Sequence, residues 1–189
     1  MNPTTLRRSS VLIALALLLC SASGNLRAQT AATSAQSAEA PKPEAVLKPA
    51  DTTSLLPPSV FFRGQTAPLQ IRNSGGVRFA DGTYALMALV DSAGYSSSIR
   101  EKYQAYILTE VPLDIDGHRL PPGAYGCGFI TPDSFVVMDM GAHDLFTAHT
   151  KIDAGLRRPT PLQVVAGDLP QHYRLYSGRV FVLFSRASQ

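Results

Sequence analysis

Residues 113–125 read Leu-Asp-Ile-Asp-Gly-His-Arg-Leu-Pro-Pro-Gly-Ala-Tyr and give the clearest indication of fold class. Asp116 and Gly117 stand between two short runs of alternating apolar and polar residues. Asp-Gly in that setting is the strongest short-range signal for a β-hairpin with a two-residue turn. A Pro-Pro-Gly turn follows at 121–123, and another run of strand-forming residues begins at Tyr125. The stretch therefore predicts short antiparallel strands joined by tight turns.

Similar turn signals recur along the last two thirds of the chain, where they separate short runs rich in Val, Ile, Tyr and Phe. The signals lie at residues 75–76, 81–82, 91–94, 132–133, 167–168 and 177–178. This density predicts an all-β domain, either a single antiparallel β-sandwich or a barrel, with at most one short helix.

Two segments have patterns that fit both a helix and a strand. In residues 96–108, Ser98 and Glu101 have the spacing of a helix capping box, but the residues from Tyr103 onward alternate as in a strand. We predict one short helical turn followed by a long strand. Residues 145–152 are equally divided, and we favour a strand there.

The N-terminal residues 1–28 have the three parts of a secretory signal peptide. Arg7 and Arg8 precede an apolar run at 11–20, and small residues follow at 21–24. The run is too short for the roughly 20 apolar residues that cross a bilayer. We predict that the segment is cleaved, that the mature chain has no transmembrane span, and that the protein is exported to the periplasm or the extracellular space.

Cleavage would change both the charge and the cysteine count. The formal net charge of the whole chain is +3, but Arg7, Arg8 and Arg27 are the only charged residues of the leader. Its removal leaves 14 basic and 14 acidic residues, which argues against nucleic acid as a partner. Cys20 would leave with the leader, so Cys127 would have no partner for an intramolecular disulfide.

Residues 29–58 are rich in Ala, Thr, Ser and Pro and contain neither glycine nor an aromatic residue. Such a segment has little bulky apolar surface to offset the entropy of ordering it, so we predict a disordered linker. Every Phe and Tyr of the chain lies at or after Phe61. The composition therefore places the all-β domain at residues 59–189.

The sequence contains no catalytic motif. His143, Asp144, His149 and Asp153, with Asp139 upstream, form its only His-rich cluster, and they lack a familiar metal-binding spacing such as H-E-x-x-H. We interpret them as surface residues and predict no catalytic residue, no metal and no other cofactor. A metal-dependent hydrolase that uses His143 and His149 is kept as the third functional alternative.

Residues 123–129 form the densest glycine run. In a strand, Gly126 and Gly128 face one side, while Tyr125, Cys127 and Phe129 face the other. The bare side predicts a bend or close packing, with a binding surface as the alternative. Nothing near Cys127 in the sequence would activate a thiol, so we interpret it as a small buried hydrophobe.

Three runs, residues 84–90, 135–138 and 180–184, are apolar on both faces of a strand. An antiparallel sandwich normally leaves one face of each strand to water. The predicted helix content is too small to cover a second face. We therefore expect the cover to come from a second subunit, an apolar ligand, an additional long-stranded sheet or a membrane surface.

This expectation favours an exported, non-catalytic β-domain of the cell envelope that binds an apolar ligand or a partner protein. Tyr103, Tyr106 and Tyr125 are the candidate ligand-binding residues, because tyrosine offers both apolar area and a polar group. The alternative is a structural envelope protein without a small ligand, whose apolar strands pair in a homodimer.

Overall fold

Antiparallel strands form most of the chain that the computed structural model describes, which is residues 43–131 and 133–188. The strands are β1 (Ala45–Leu47), β2 (Ser59–Phe62), β3 (Gln65–Arg78), β4 (Tyr84–Val90), β5 (Ala105–Thr109), β6 (Leu113–Ile115), β7 (His118–Leu120), β8 (Gly123–Ile130), β9 (Ser134–Met138), β10 (Asp144–His149), β11 (Lys151–Ile152), β12 (Thr160–Ala166), β13 (His172–Gly178) and β14 (Val180–Arg186). Two short helices are present, α1 (Pro49–Thr52) and α2 (Ser97–Lys102). The all-β prediction is confirmed. The helix count exceeds the predicted maximum by one.

The strands form two antiparallel sheets. The larger has the order β1-β3-β4-β5-β8-β9-β10, with β2 paired to β3. The smaller has the order β12-β13-β14-β6-β7, with β11 paired to β14. Neither sheet closes on itself within the described chain, so the predicted sandwich is the correct alternative and the barrel is not.

The two sheets pack face to face around one apolar core. The larger sheet contributes residues such as Met87, Ile107 and Val137, and the smaller contributes residues such as Leu175 and Val182. Cys127 also lies in this core and is fully buried, as predicted.

A second core lies on the opposite face of the larger sheet. Its sheet residues include Leu86 and Val136, and its covering residues include Phe62, Ile99 and Tyr103. The cover consists of the β2–β3 hairpin, α2 and the segment that leads into α2. The expectation of an external cover is therefore wrong for residues 84–90 and 135–138, because the chain itself buries their second face.

The outward face of β14 is likewise covered from within the chain. Phe181 is only 8% exposed, and the guanidinium of Arg174 lies 5.2 Å from the centre of its ring. Tyr176, paired with Phe181, is buried and donates its hydroxyl to Asp153 at 2.9 Å. External cover is thus not required for Phe181, whereas Leu183 on the same face is only partly buried.

The long strand β3 takes part in both layers around the larger sheet. Its first half pairs with β2 and its second half with β1, and its register against β4 shifts between Gln70 and Ser74. This bulge redirects the strand so that the β2–β3 hairpin folds over the outer face. Gly76 lies inside β3 and not in a turn as predicted: a Cβ there would lie 2.4 Å from the Ala85 carbonyl oxygen, so glycine permits the close approach.

The hairpin predicted from residues 113–120 is confirmed. β6 and β7 pair directly, and both turn residues have positive φ, 49° at Asp116 and 86° at Gly117. Paired positive φ values are those of a type I′ turn, in which Asp-Gly is favoured. Gly117 also donates its N–H to the Asp114 side chain at 2.9 Å, which fixes the turn.

The two segments with divided patterns are predicted only in part. The short helix α2 precedes β5, and residues 144–149 and 151–152 are strands, as expected. The long strand expected after the helix is wrong, because the run divides into β5 in the larger sheet and β6 in the smaller one. The helix begins after Ser96, so the capping box suggested by Ser98 and Glu101 does not form its N-cap.

The predicted disordered linker is wrong for residues 45–58. β1 pairs with the second half of β3, and Leu47, Thr52 and Leu56 are buried. A short strand can be ordered with few apolar residues when it adds to the edge of an existing sheet, because the sheet supplies backbone hydrogen bonds. The predicted signal peptide and residues 29–42 of the predicted linker lie outside the described residues.

Candidate functional site

The three tyrosines predicted to bind a ligand do not share a surface. Tyr103 is 0% exposed, and its ring stacks on Phe62 with the ring centres 3.7 Å apart. Tyr106 is also buried, in the second core on the outer face of the larger sheet. Tyr125 packs against the core between the sheets, and its hydroxyl donates to the Pro121 carbonyl at 2.9 Å. Two of these rings therefore stabilise one core, and the third lies on the opposite face of the sheet.

The bare face predicted at Gly126 and Gly128 is a packing surface. A Cβ at Gly126 would lie 2.6 Å from the Phe62 ring, and one at Gly128 would lie 2.2 Å from the Lys102 carbonyl oxygen. Gln104 holds this junction, because its side chain donates to the Phe129 carbonyl at 3.0 Å and accepts from the Phe129 N–H at 3.1 Å. The absence of side chains at these two glycines therefore leaves room for the Phe62 ring and for the end of α2.

The buried titratable groups of these cores are held in their neutral forms. Burial raises the pKa of Tyr103 well above its usual range, and it raises the pKa of the Cys127 thiol in the same direction. The Tyr103 hydroxyl finds no hydrogen-bond partner among the described residues. A nucleophilic thiol needs the opposite shift, so Cys127 does not have the electrostatics of a catalytic cysteine.

The His-rich cluster is divided among separate partners. His143 Nδ1 lies 2.9 Å from Asp139 Oδ2, and the His143 N–H donates to the same carboxylate. These hydrogen bonds lower the pKa of the exposed Asp139. Asp144 forms an ion pair with Lys102 instead.

The remaining members of the cluster point to other parts of the fold. The His149 N–H donates to Asp116 at 3.2 Å, and Asp153 accepts from Tyr176. Among the described residues, no three His, Cys, Asp or Glu side chains converge as a metal-ligand set. The geometry therefore gives no support to a hydrolase that uses His143 and His149.

An apolar cavity of about 560 Å³ opens at one edge of the sandwich, where sequence reasoning had placed nothing. Residues 46–49, 72–74 and 160–166 line it. These belong to β1 and the start of α1, to the β3 bulge and to β12. β1 ends the larger sheet and β12 ends the smaller, so the cavity lies between two strands that each pair on one side only with other described strands.

Close approach of the two sheets forms the floor of the cavity. A Cβ at Gly75 would lie 3.2 Å from the Val164 nitrogen and 3.3 Å from the Leu47 carbonyl oxygen, so glycine lets β12 cross β3 beside β1. Leu162 and Val164 are themselves buried in the core between the sheets. The cavity is therefore an outward extension of that core.

The β3 bulge forms the rim. Asn73 donates to the Gln70 side chain at 3.0 Å, and Ser74 shares a hydrogen bond of 2.6 Å with the buried Thr52 hydroxyl. These contacts fix the bulge and tie it to α1. Arg72, in the same bulge, is exposed and lines the cavity.

The sequence contained one signal for this site. Val46 and Leu47 are the first bulky apolar residues after the predicted leader, and they interrupt the composition that suggested disorder. Their pairing with β3 could not be predicted locally, because Val46 pairs with Val77.

Comparison with known protein families, curated proteins and solved structures finds no match. Among the described residues, no helix has the length and apolar character needed to cross a membrane.

Proposed function

We propose that this protein is an exported, non-catalytic binding module that holds an apolar ligand in the cavity between β1 and β12. One observation carries the proposal: the chain covers the outer face of its larger sheet with its own side chains, yet leaves this apolar cavity open. Its volume of about 560 Å³ is within the usual size of small-molecule sites, which are mostly apolar with a few polar groups.

A partner protein remains the second candidate, and the free edge of β12 favours it. β12 pairs on one side with β13, and no other described strand pairs with it. An extended segment of another chain could add to that edge through backbone hydrogen bonds. The apolar faces of the larger sheet no longer support a homodimer. A second copy was expected to cover them, but the chain itself buries them.

Binding of the neutral apolar dye N-phenyl-1-naphthylamine tests the proposal. We expect saturable fluorescence enhancement with one dye per chain. Ala166→Phe should abolish it, because Ala166 is exposed and lines the cavity. The matched control is Ala154→Phe, which adds the same ring at an exposed position away from the cavity and should leave binding intact. Absence of saturable binding to the unmodified protein would overturn the proposal.

Native mass spectrometry of protein purified from its own host gives an independent result. We expect one chain with a small bound molecule. A dimer without a small molecule would favour the structural alternative, and a complex with another polypeptide would favour the partner protein.

A further inference from the structure

The charged residues around the cavity are distributed unevenly. Among the described residues, Lys48 and Arg72 are the only charged ones that line it, and both are exposed. No Asp or Glu of residues 43–131 and 133–188 lines it. The acidic residue nearest to Lys48 along the chain is Asp51. Its carboxylate accepts a hydrogen bond of 2.9 Å from the Lys48 backbone N–H, and Asp51 does not line the cavity. The lining therefore carries a net positive charge.

Both cations lie at the same end of the cavity. Leu47 pairs with Gly76, so Lys48 follows at the point where β1 leaves β3, close to the bulge that contains Arg72. β12 contributes Thr160 at its own start. The two cations of the lining, Lys48 and Arg72, make this end of the cavity basic.

The other end has the opposite character. A neighbouring depression shares Val46 and Ala166 with the cavity, and it is also lined by Glu44 and Asp168. Asp168 forms an ion pair with Arg174. The cavity and this depression therefore adjoin along β12, and Glu44 and Asp168 line only the depression. The seven residues of β12 span about 20 Å.

We infer that the ligand is an anionic amphiphile with one extended apolar chain, held with its head group against Lys48 and Arg72. This inference rests on the proposed function and adds the chemical class and orientation of the ligand. The apolar chain lies along Leu47, Leu162 and Val164, where it removes apolar surface from water. The head group stays at the mouth, where the two side chains can reach it without losing all of their solvent.

Charge complementarity favours this occupant over a peptide strand. A neutral backbone added to β12 would pair with N–H and C=O groups, but it would leave Lys48 and Arg72 without a role. An anionic head group uses both, and a cationic one would be repelled. Since the cations are exposed, their attraction should weaken with added salt.

The test compares decanoate, decan-1-ol and decyltrimethylammonium as displacers of N-phenyl-1-naphthylamine, below their micelle concentrations and near neutral pH. We expect decanoate to bind roughly tenfold more tightly than the alcohol, and the ammonium compound to bind least. Longer carboxylates should tighten by about fourfold per added methylene until the cavity is filled.

The double variant Lys48→Gln/Arg72→Gln should lose most of the preference for decanoate while keeping its affinity for decan-1-ol. The control Arg100→Gln/Lys151→Gln removes two exposed cations outside the cavity and should retain the preference. Far-ultraviolet circular dichroism and dye binding check that both variants are folded.

The outcomes separate the two proposals. Equal affinity for the alcohol and decanoate, with both blocked by Ala166→Phe, would overturn the inference and leave the proposed function intact. An unchanged preference in the Lys48→Gln/Arg72→Gln variant would also overturn the inference. Failure of every compound and of the dye would overturn both proposals. Displacement of the dye by an extended peptide but not by decanoate would overturn the inference in favour of strand addition.

Discussion

The outer face of the larger sheet and the open edge between β1 and β12 are both apolar, but only the outer face is filled. At the outer face, Phe62 and Tyr103 occupy the space that Gly126 leaves free, within van der Waals contact. At the edge, Leu162 and Val164 border a cavity of about 560 Å³. The two regions differ in whether the chain supplies its own filling residue.

Apolar content alone does not identify a binding surface. The strands at 84–90 and 135–138 are apolar on both faces, yet the β2–β3 hairpin and α2 cover their outer face. The proposed ligand surface is the apolar part that internal packing leaves unfilled. Changes that add or remove volume should therefore affect the two regions in opposite ways.

The largest expected effect comes from removing the ring that fills the outer face. Phe62→Ala should lower the free energy of unfolding by about 3–5 kcal/mol, because Phe62 is fully buried and its loss leaves a cavity. Urea denaturation measures the change. The adjacent Phe61 is 61% exposed, so Phe61→Ala is a matched control that should change the value by less than about 0.5 kcal/mol. Similar losses for both variants would contradict the description of this face as a packed core.

Adding volume to the outer face should also destabilise the protein. Gly128→Ala places a methyl group 2.2 Å from the Lys102 carbonyl oxygen, so α2 must move, at a cost of about 1–3 kcal/mol. Gly94→Ala serves as the control, since its nearest atom would lie at an ordinary 3.6 Å. Thermal denaturation of the two variants compares them, and equal melting temperatures would show that the junction is loosely packed.

The buried tyrosine makes the filled region sensitive to alkali. Burial raises the pKa of Tyr103, so below its ordinary value of 10.0 both folded and unfolded chains keep the hydroxyl protonated. Above that pH the unfolded chain releases the proton and the folded chain retains it. Stability should therefore fall as pH rises past about 10, by up to about 1.4 kcal/mol per pH unit for this group.

Urea denaturation at several alkaline pH values measures this loss. Tyr103→Phe should reduce its slope. The same variant should cost little near neutral pH, because no group in the described part of the chain forms a hydrogen bond with the Tyr103 hydroxyl. An identical slope in the variant would show that Tyr103 is not responsible.

The smallest expected effect is at the open edge. Ala166→Phe adds a whole ring, yet it should change the free energy of unfolding by no more than about 0.5 kcal/mol, because Ala166 is exposed beside unfilled space. A loss as large as that of Gly128→Ala would mean that the cavity is closed in solution. The difference in stability loss between Gly128→Ala and Ala166→Phe is the most direct comparison of the two regions.

Local patterns were sufficient to predict the strands but not what covers them. Asp116-Gly117 predicts its hairpin because turn chemistry depends on neighbouring residues. The spacing of Ser98 and Glu101 predicts the helix before β5, although the residue at its N-cap is Ser96. The cover of the larger sheet depends on the register shift in β3, which no local pattern marks. Gly75 and Gly76 in that strand resemble a turn when only their sequence neighbours are considered.

The cavity could not be predicted because it joins residues that are distant in the sequence. Leu47 and Val164 both lie against Gly75, yet Leu47 belongs to a segment whose composition suggested disorder. The tyrosines were chosen for their chemistry, and that same chemistry suits an aromatic core. The apolar ligand stays a hypothesis, and none of the three tyrosines lines the cavity.

The position of β14 in the smaller sheet also constrains the order of folding. β14 joins β13 to β6, and its Phe184 pairs with Ile115, which is 69 positions earlier in the chain. The β6–β7 hairpin can form by itself within microseconds, but it cannot join the smaller sheet until β14 pairs with β6. We expect β6 to gain hydrogen-exchange protection during refolding together with β14 and later than β4 or β5. The inner face of the larger sheet would then stay open until this late step, which makes it the face most exposed to misassembly while the protein folds.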